Sequence, residues 1–314
     1  MNQLLLKIAN TLVANLANTE SPGLFDGKMG ACLFLYRYAR YSGYKEYEDI
    51  ASDLLDEVFR QLSPNLSPSP LNGASGIGWG ISTLLKEKFL EASPEDAIFS
   101  YVDEALLRNV NNTLTKELSF PISIFSPGIY LLARMSWRMD DVENTWIAGV
   151  LEAAHSILLN GTQKKKMLKL SLLTSMLYVL SKLYKQLEVN KAGIRKMIDE
   201  LLSLCVQAIN EQNYQDIDIL LLKQYLKEVP KEWKENVEHI QEILIRTKCF
   251  EGINPLDIWY DNVWWGILYH IPIVENLSVE KVKTYIEQKI HDSYYDASTV
   301  NGKLSSAGIW LMSK

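Results

Sequence analysis

The chain is poor in the residues that most often carry metal or nucleophilic chemistry: 314 residues hold three cysteines and four histidines. Cys32, Cys205 and Cys249 are odd in number, far apart and outside any CxxC or Cys/His spacing. That excludes a disulfide framework and a zinc finger, and predicts buried thiols in a reducing compartment. No run of about 18 apolar residues occurs, so no membrane span is expected. Leu4-Leu5-Leu6-Lys7-Ile8-Ala9-Asn10 is interrupted by polar residues, unlike the apolar region of a secretion signal, so the expected location is the cytoplasm. A basic excess is missing too: the net charge is -6, and Lys164-Lys165-Lys166 reads as a solvated loop. Nucleic acid is therefore not an expected partner. Strand-like alternation is almost absent.

What the chain does have is a hydrophobic fraction of 47%, ample for a large core, and a glycine-bearing phrase that returns at a nearly fixed interval. Asp26-Gly27-Lys28-Met29-Gly30, Asn72-Gly73-Ala74-Ser75-Gly76 and Asn301-Gly302-Lys303-Leu304-Ser305 each open an apolar helical run. Weaker copies are read at Phe125-Ser126-Pro127-Gly128, Leu172-Leu173-Thr174-Ser175 and Val263-Trp264-Trp265-Gly266. The turns start at 27, 73, 125, 172, 263 and 302, at intervals of 46, 52, 47, 91 and 39. The doubled interval predicts a degenerate copy near 217, at Asp216-Ile217-Asp218, and seven units in all. A period of this length is the mark of stacked copies of one supersecondary unit.

Between the turns lie charged amphipathic segments, near 3–17, 44–59, 95–113, 141–159, 190–210, 231–248 and 278–291. In 44–59, Tyr47, Ile50, Leu54, Leu55 and Val58 recur at three- and four-residue steps, the spacing of one helix face. A helix apolar all round is buried, and a striped one packs on it from outside. Seven alternations predict an all-α chain: an α/α toroid of about seven helical hairpins, with apolar helices inside and amphipathic ones outside. The last unit is as apolar as the first, which favours a closed ring over an open solenoid. Because the repeat runs from end to end, residues 1–314 are expected to form a single domain.

Asp26, Asn72 and Asn301 each stand just before an inner helix, where their side chains are expected to cap free amides, with glycine allowing a sharp turn. Helix N-termini gathered at one mouth would carry partial positive charge and suit an anionic or strongly polar ligand. The same glycines have a plainer reading as packing positions. Candidate ligand-binding residues at that mouth are Lys28, Asn72, Trp79, Tyr260, Asn262, Trp264, Trp265, Asn301 and Lys303, with Trp259 beside them. Tryptophans beside Asp and Asn suit a sugar ring or a peptide side chain, or else they simply fill the barrel.

Gly23-Leu24-Phe25-Asp26-Gly27-Lys28-Met29-Gly30 resembles the first GLxxGxxG turn of the lanthionine synthetase C-like (LanC-like) family. Asn72-Gly73-Ala74-Ser75-Gly76-Ile77-Gly78-Trp79-Gly80 is similar to its second. The resemblance is strong over 20–90 and weak beyond, and it implies the same seven-unit toroid. It also implies a zinc held by one cysteine of the sixth unit and a Cys-His pair of the seventh, which activates a peptide thiolate for thioether ring closure. Those positions fall here on Asp261 (or Tyr260), Val300 and Asn301, and the family's acid/base histidine falls near Ser171. The resemblance therefore implies a scaffold without its metal site: no zinc cofactor, and a peptide-binding or accessory role beside a peptide substrate or a partner modification enzyme.

The remaining histidines do not replace it. His155, His239 and His291 lie on outer segments, and His270 is expected to follow an inner turn as a core residue or a weak candidate base. An alternative is a glycoside hydrolase that binds a small sugar and uses Asp26 and Asp261 as its paired carboxyls, with Asp257 a poorer third. Asp26 is also readable as a helix cap.

Overall fold

The computed structural model describes residues 1–91, 97–113, 125, 127–135, 141–163, 167–188, 190–247, 249–270, 272–274, 276–292 and 300–314. Among them are fourteen α-helices and no strand. The apolar helices are α2 (Lys28–Ser42), α4 (Ala74–Lys86), α6 (Gly128–Arg134), α8 (Leu170–Gln186), α10 (Asp216–Tyr225), α12 (Pro255–Tyr269) and α14 (Val300–Met312). The amphipathic ones are α1 (Asn2–Asn15), α3 (Lys45–Gln61), α5 (Ala97–Thr113), α7 (Asp141–Gln163), α9 (Lys191–Asn210), α11 (Lys234–Arg246) and α13 (Val279–Asp292). The two kinds alternate along the chain much as the periodicity predicts, with the degenerate fifth copy at α10, but α12 buries only the stripe Trp259, Tyr260, Val263, Trp264 and Leu268.

Burial separates α2 from α3 most clearly. In α2 an unbroken run from Met29 to Tyr36 is buried, whereas in α3 only Ala51, Leu54, Leu55 and Val58 are, one stripe at helical spacing. Helix ends are set by local chemistry. Gly43 closes α2 in the left-handed conformation that glycine adopts at no steric cost. Gln215 and Asp218 form a reciprocal capping box that starts α10.

Two compact units are present. One comprises Met1–Ala105 with Gly252–Lys314, the other Leu106–Glu251, and the boundary falls within α5. In the first, α2 packs against α3, α4 and α14, and α14 also packs against α12, α1 and α13. In the second, α8 packs against α9, α10 and α6, while α9 also packs against α7 and α11. Its core includes Tyr130, Trp146, Leu173, Met176, Ile198 and Leu201, all fully buried. Leucines of this kind contribute roughly 1.5–3 kcal/mol each.

Two turn positions differ from the sequence reading. Leu172 lies inside α8, which begins at Leu170. Val263-Trp264-Trp265-Gly266 is not a turn but the middle of α12. That helix starts at Pro255 behind Asn254, whose side chain accepts from the Leu256 amide at 3.0 Å. An Asn-Pro pair is a strong start signal, since proline at the first helical position loses no hydrogen bond. The shift moves His270 as well. It does not follow an inner turn but ends α12 as an exposed left-handed C-cap, φ 54°.

Thiols follow burial only in part. Cys32 and Cys205 are buried, and burial raises both, Cys205 to about 12, so both stay protonated. Cys249 is half-exposed.

Candidate functional site

The three glycine phrases do converge, all within the first unit. Leu24 and Phe25 both donate backbone N–H to the Leu71 carbonyl at 2.9 Å, which stitches the turn before α2 to the turn before α4. Asn72 Oδ1 accepts from the Asp26 amide at 3.2 Å, and its Nδ2 stands 3.5 Å from the Asp26 carboxylate. On the third side Gly302 touches the same turn: a Cβ there would sit 1.2 Å from the Phe25 carbonyl oxygen. Trp264 fastens α12 to this junction by donating Nε1–H to the Gly302 carbonyl at 2.9 Å.

The glycines are required by contact distance rather than by turn geometry. Gly27 and Gly73 have φ of -135° and -125°, open to any residue. Yet a Cβ on Gly73 would lie 2.1 Å from the Ser67 carbonyl oxygen. This approach explains a second departure from the sequence reading: neither Asp26 nor Asn72 caps a helix. The preceding loops bend back and do so with backbone. Lys28 N–H donates to Ser21 O at 2.9 Å, Met29 N–H to Gly23 O at 3.1 Å, and Ala74 N–H to Ser67 O at 2.8 Å. These three amides are held by backbone and so are not available to an anion.

The predicted site residues sort by what they touch. Lys28 pairs with Glu57 of α3 at 2.5 Å. Lys303 pairs with Asp261 at 2.7 Å and lies 5.9 Å from the Tyr260 ring centre. Trp79, Tyr260 and Trp264 are buried, and Trp265 is half-buried. Asn262 turns back on its own helix, donating to the Ile258 carbonyl at 2.9 Å. Asp26 and Asn72 are exposed. Asn301 lies in α14, and its side chain, like that of Val300, falls outside the described residues.

Residues that the sequence reading passed over complete the surroundings. Phe25 stacks on Trp264 (centres 5.9 Å apart) and meets Trp265 edge-on at 5.0 Å. Tyr285 and Lys289, one helical turn apart on α13, both reach Asp257: the phenol donates to it and the ammonium stands 3.6 Å away. Burial, then the bond to Asp257, hold the Tyr285 phenol well above its ordinary range. Burial and the Asp261 charge do the same to Tyr260, so both remain neutral donors. The signal for Tyr285 and Lys289 was their four-residue spacing, hidden on a helix whose charges suggest only solvent exposure.

The Lys28–Glu57 pair yields a pH prediction. Its hydrogen bond to Lys28 lowers the Glu57 pKa below the ordinary 4.5. The pair's contribution is thus complete above that ordinary value and is lost as pH falls through the lower folded pKa. Glu57 is largely exposed, so the contribution is small. A carboxyl NMR titration is expected to show the Glu57 midpoint rising to the ordinary range in Lys28→Met; an unchanged midpoint refutes the pairing in solution.

The positions that the resemblance assigns to zinc do not offer its donor set. Asp261 is an exposed carboxylate already ion-paired, Tyr260 is a buried neutral phenol, and Val300 and Asn301 carry neither thiolate nor imidazole. Cys32 is turned away, donating to the Ala51 carbonyl at 3.4 Å. Among the described residues no three His, Cys, Asp or Glu side chains come together as a metal site, and no helix is long and apolar enough to cross a membrane. No protein-family profile and no curated protein matches this chain.

Proposed function

We propose that the seven helix pairs close into an α/α toroid and that the chain is a non-catalytic LanC-like protein, holding a peptide in a peptide-modification system. The alternation of more apolar and amphipathic helices, with three glycine phrases packed at one junction, supports the resemblance. The observation that carries a binding role over a catalytic one is the state of the ionisable groups around the junction other than Asp26. Lys28 is held by Glu57, Asp261 by Lys303, and Asp257 by Tyr285 and Lys289, so each has a structural partner in place of a reacting one. A glycoside hydrolase built on Asp26 and Asp261 draws less support. It needs two carboxyls facing a sugar, and Asp261 is already held in an ion pair by Lys303 at 2.7 Å.

The test uses the protein purified without chelator and a synthetic peptide carrying one dehydroalanine and one cysteine. Elemental analysis is expected to find far less than one zinc per chain. Thiol alkylation followed by mass spectrometry is expected to show no ring closure above the uncatalysed rate, while calorimetry detects binding of the peptide. Stoichiometric zinc with accelerated closure overturns the reading.

A further inference from the structure

Charge bookkeeping at the three-way junction points to the chemistry of the peptide group that docks there. Three helix-start amides, those of Lys28, Met29 and Ala74, are bound by Ser21, Gly23 and Ser67 carbonyls. The two lysines nearest the junction in sequence are neutralised, Lys28 by Glu57 and Lys303 by Asp261. The Asp26 carboxylate is different: it is exposed, its described partner is the neutral amide of Asn72 at 3.5 Å, and it takes part in no ion pair among the described residues. Next to it in the chain, half-buried Phe25 leads into the ring series Trp264, Phe25, Trp265, Tyr269, in which Trp265 stacks on Tyr269 with centres 5.9 Å apart. The same unit already places cations against aromatic rings, with Lys289 5.0 Å from the Tyr285 ring centre and Arg40 3.5 Å from that of Phe89.

We infer that the Asp26 carboxylate and the half-exposed rings of Phe25 and Trp265 form a subsite for one basic side chain, arginine or lysine, of a bound peptide; this rests on the peptide-binding reading above. A guanidinium is the better fit, since it pairs with a carboxylate through a planar fork and lies flat on an aromatic face with little desolvation. The net charge of -6 favours encounter with a basic chain.

Three probes are titrated calorimetrically against the full chain: an unstructured 12-residue peptide with a single arginine, the same peptide with citrulline in its place, and N-acetyl-arginine amide alone. The arginine peptide is expected to bind roughly tenfold more tightly than the citrulline peptide, as one charge-assisted bond implies. Asp26→Asn, which keeps the side chain's shape, is expected to erase that difference, and 0.5 M salt to reduce it. Trp265→Leu, checked for unchanged helicity, is a second variant expected to weaken the arginine peptide selectively. Equal binding of both peptides, unaffected by Asp26→Asn, overturns the basic subsite and leaves peptide binding standing. Binding of the amide alone, lost in Asp26→Asn, with neither peptide bound, upholds the cation site and overturns the peptide reading. No binding of any probe overturns both.

Discussion

Replacing Gly302 with alanine is expected to destabilise the protein by about 3 kcal/mol, the upper end of the range for overpacking a close contact. A Cβ would lie 1.2 Å from the Phe25 carbonyl oxygen and about 3.0 Å from the Asp26 Cα, and neither atom belongs to a side chain that can rotate away. The Phe25 amide is tied to Leu71, and the Gly302 carbonyl to Trp264, so the strain is passed to α4 and α12. Urea unfolding monitored by circular dichroism measures the loss. Gly193, on α9 with nothing within 4 Å, is the control. Alanine there removes glycine's entropic cost in a helix and is expected to stabilise by about 0.5–1 kcal/mol. Equal effects at the two sites would show that the junction is not packed as described.

Removing Glu143 is expected to cost more, about 3–5 kcal/mol, because it takes a carboxylate away from a buried cation. Glu143 is fully buried on α7 and Arg134 is 3% exposed on α6. Their Nε–Oε1 separation is 3.1 Å, and Arg134 also donates to the Tyr130 hydroxyl at 3.2 Å. Glu143→Ala should lower the urea midpoint sharply. The double substitution Arg134→Met with Glu143→Leu should recover most of the loss, since an apolar pair of similar volume replaces the ion pair without a desolvation penalty. A Glu143→Ala variant of unchanged stability would mean that water reaches the pair.

The alternation of helix kinds was legible because burial writes itself into the chain as periodicity: α3 reads as a stripe and α2 as a continuous apolar run. Even α10, with no glycine, followed from the doubled interval. The start of α12 was misread because Gly266 imitates the repeat glycine, while the decisive signal was the Asn254-Pro255 pair eleven residues earlier. The error displaced His270 from an inner turn to a C-cap. Convergence of the glycine phrases was foreseeable from their likeness; the reason for it was not. Whether Asp26 caps its own helix or bonds to Asn72 depends on a residue 46 positions away, and no local rule ranks a side-chain cap against a returning backbone carbonyl. Pairings such as Lys28 with Glu57 and Asp257 with Tyr285 are equally non-local, and charge spacing along one helix does not reveal them.

The carbonyl caps on α2 and α4 separate two jobs that many helix starts combine. Where a side chain caps, changing it changes the fold; here Ser21, Gly23 and Ser67 cap with atoms that every amino acid possesses. Positions 26 and 72 are therefore free to vary in chemistry at small cost to the helices behind them. A scaffold wired in this way can exchange the character of this junction, from acidic to basic or from reactive to inert, while the glycines that hold it together stay fixed.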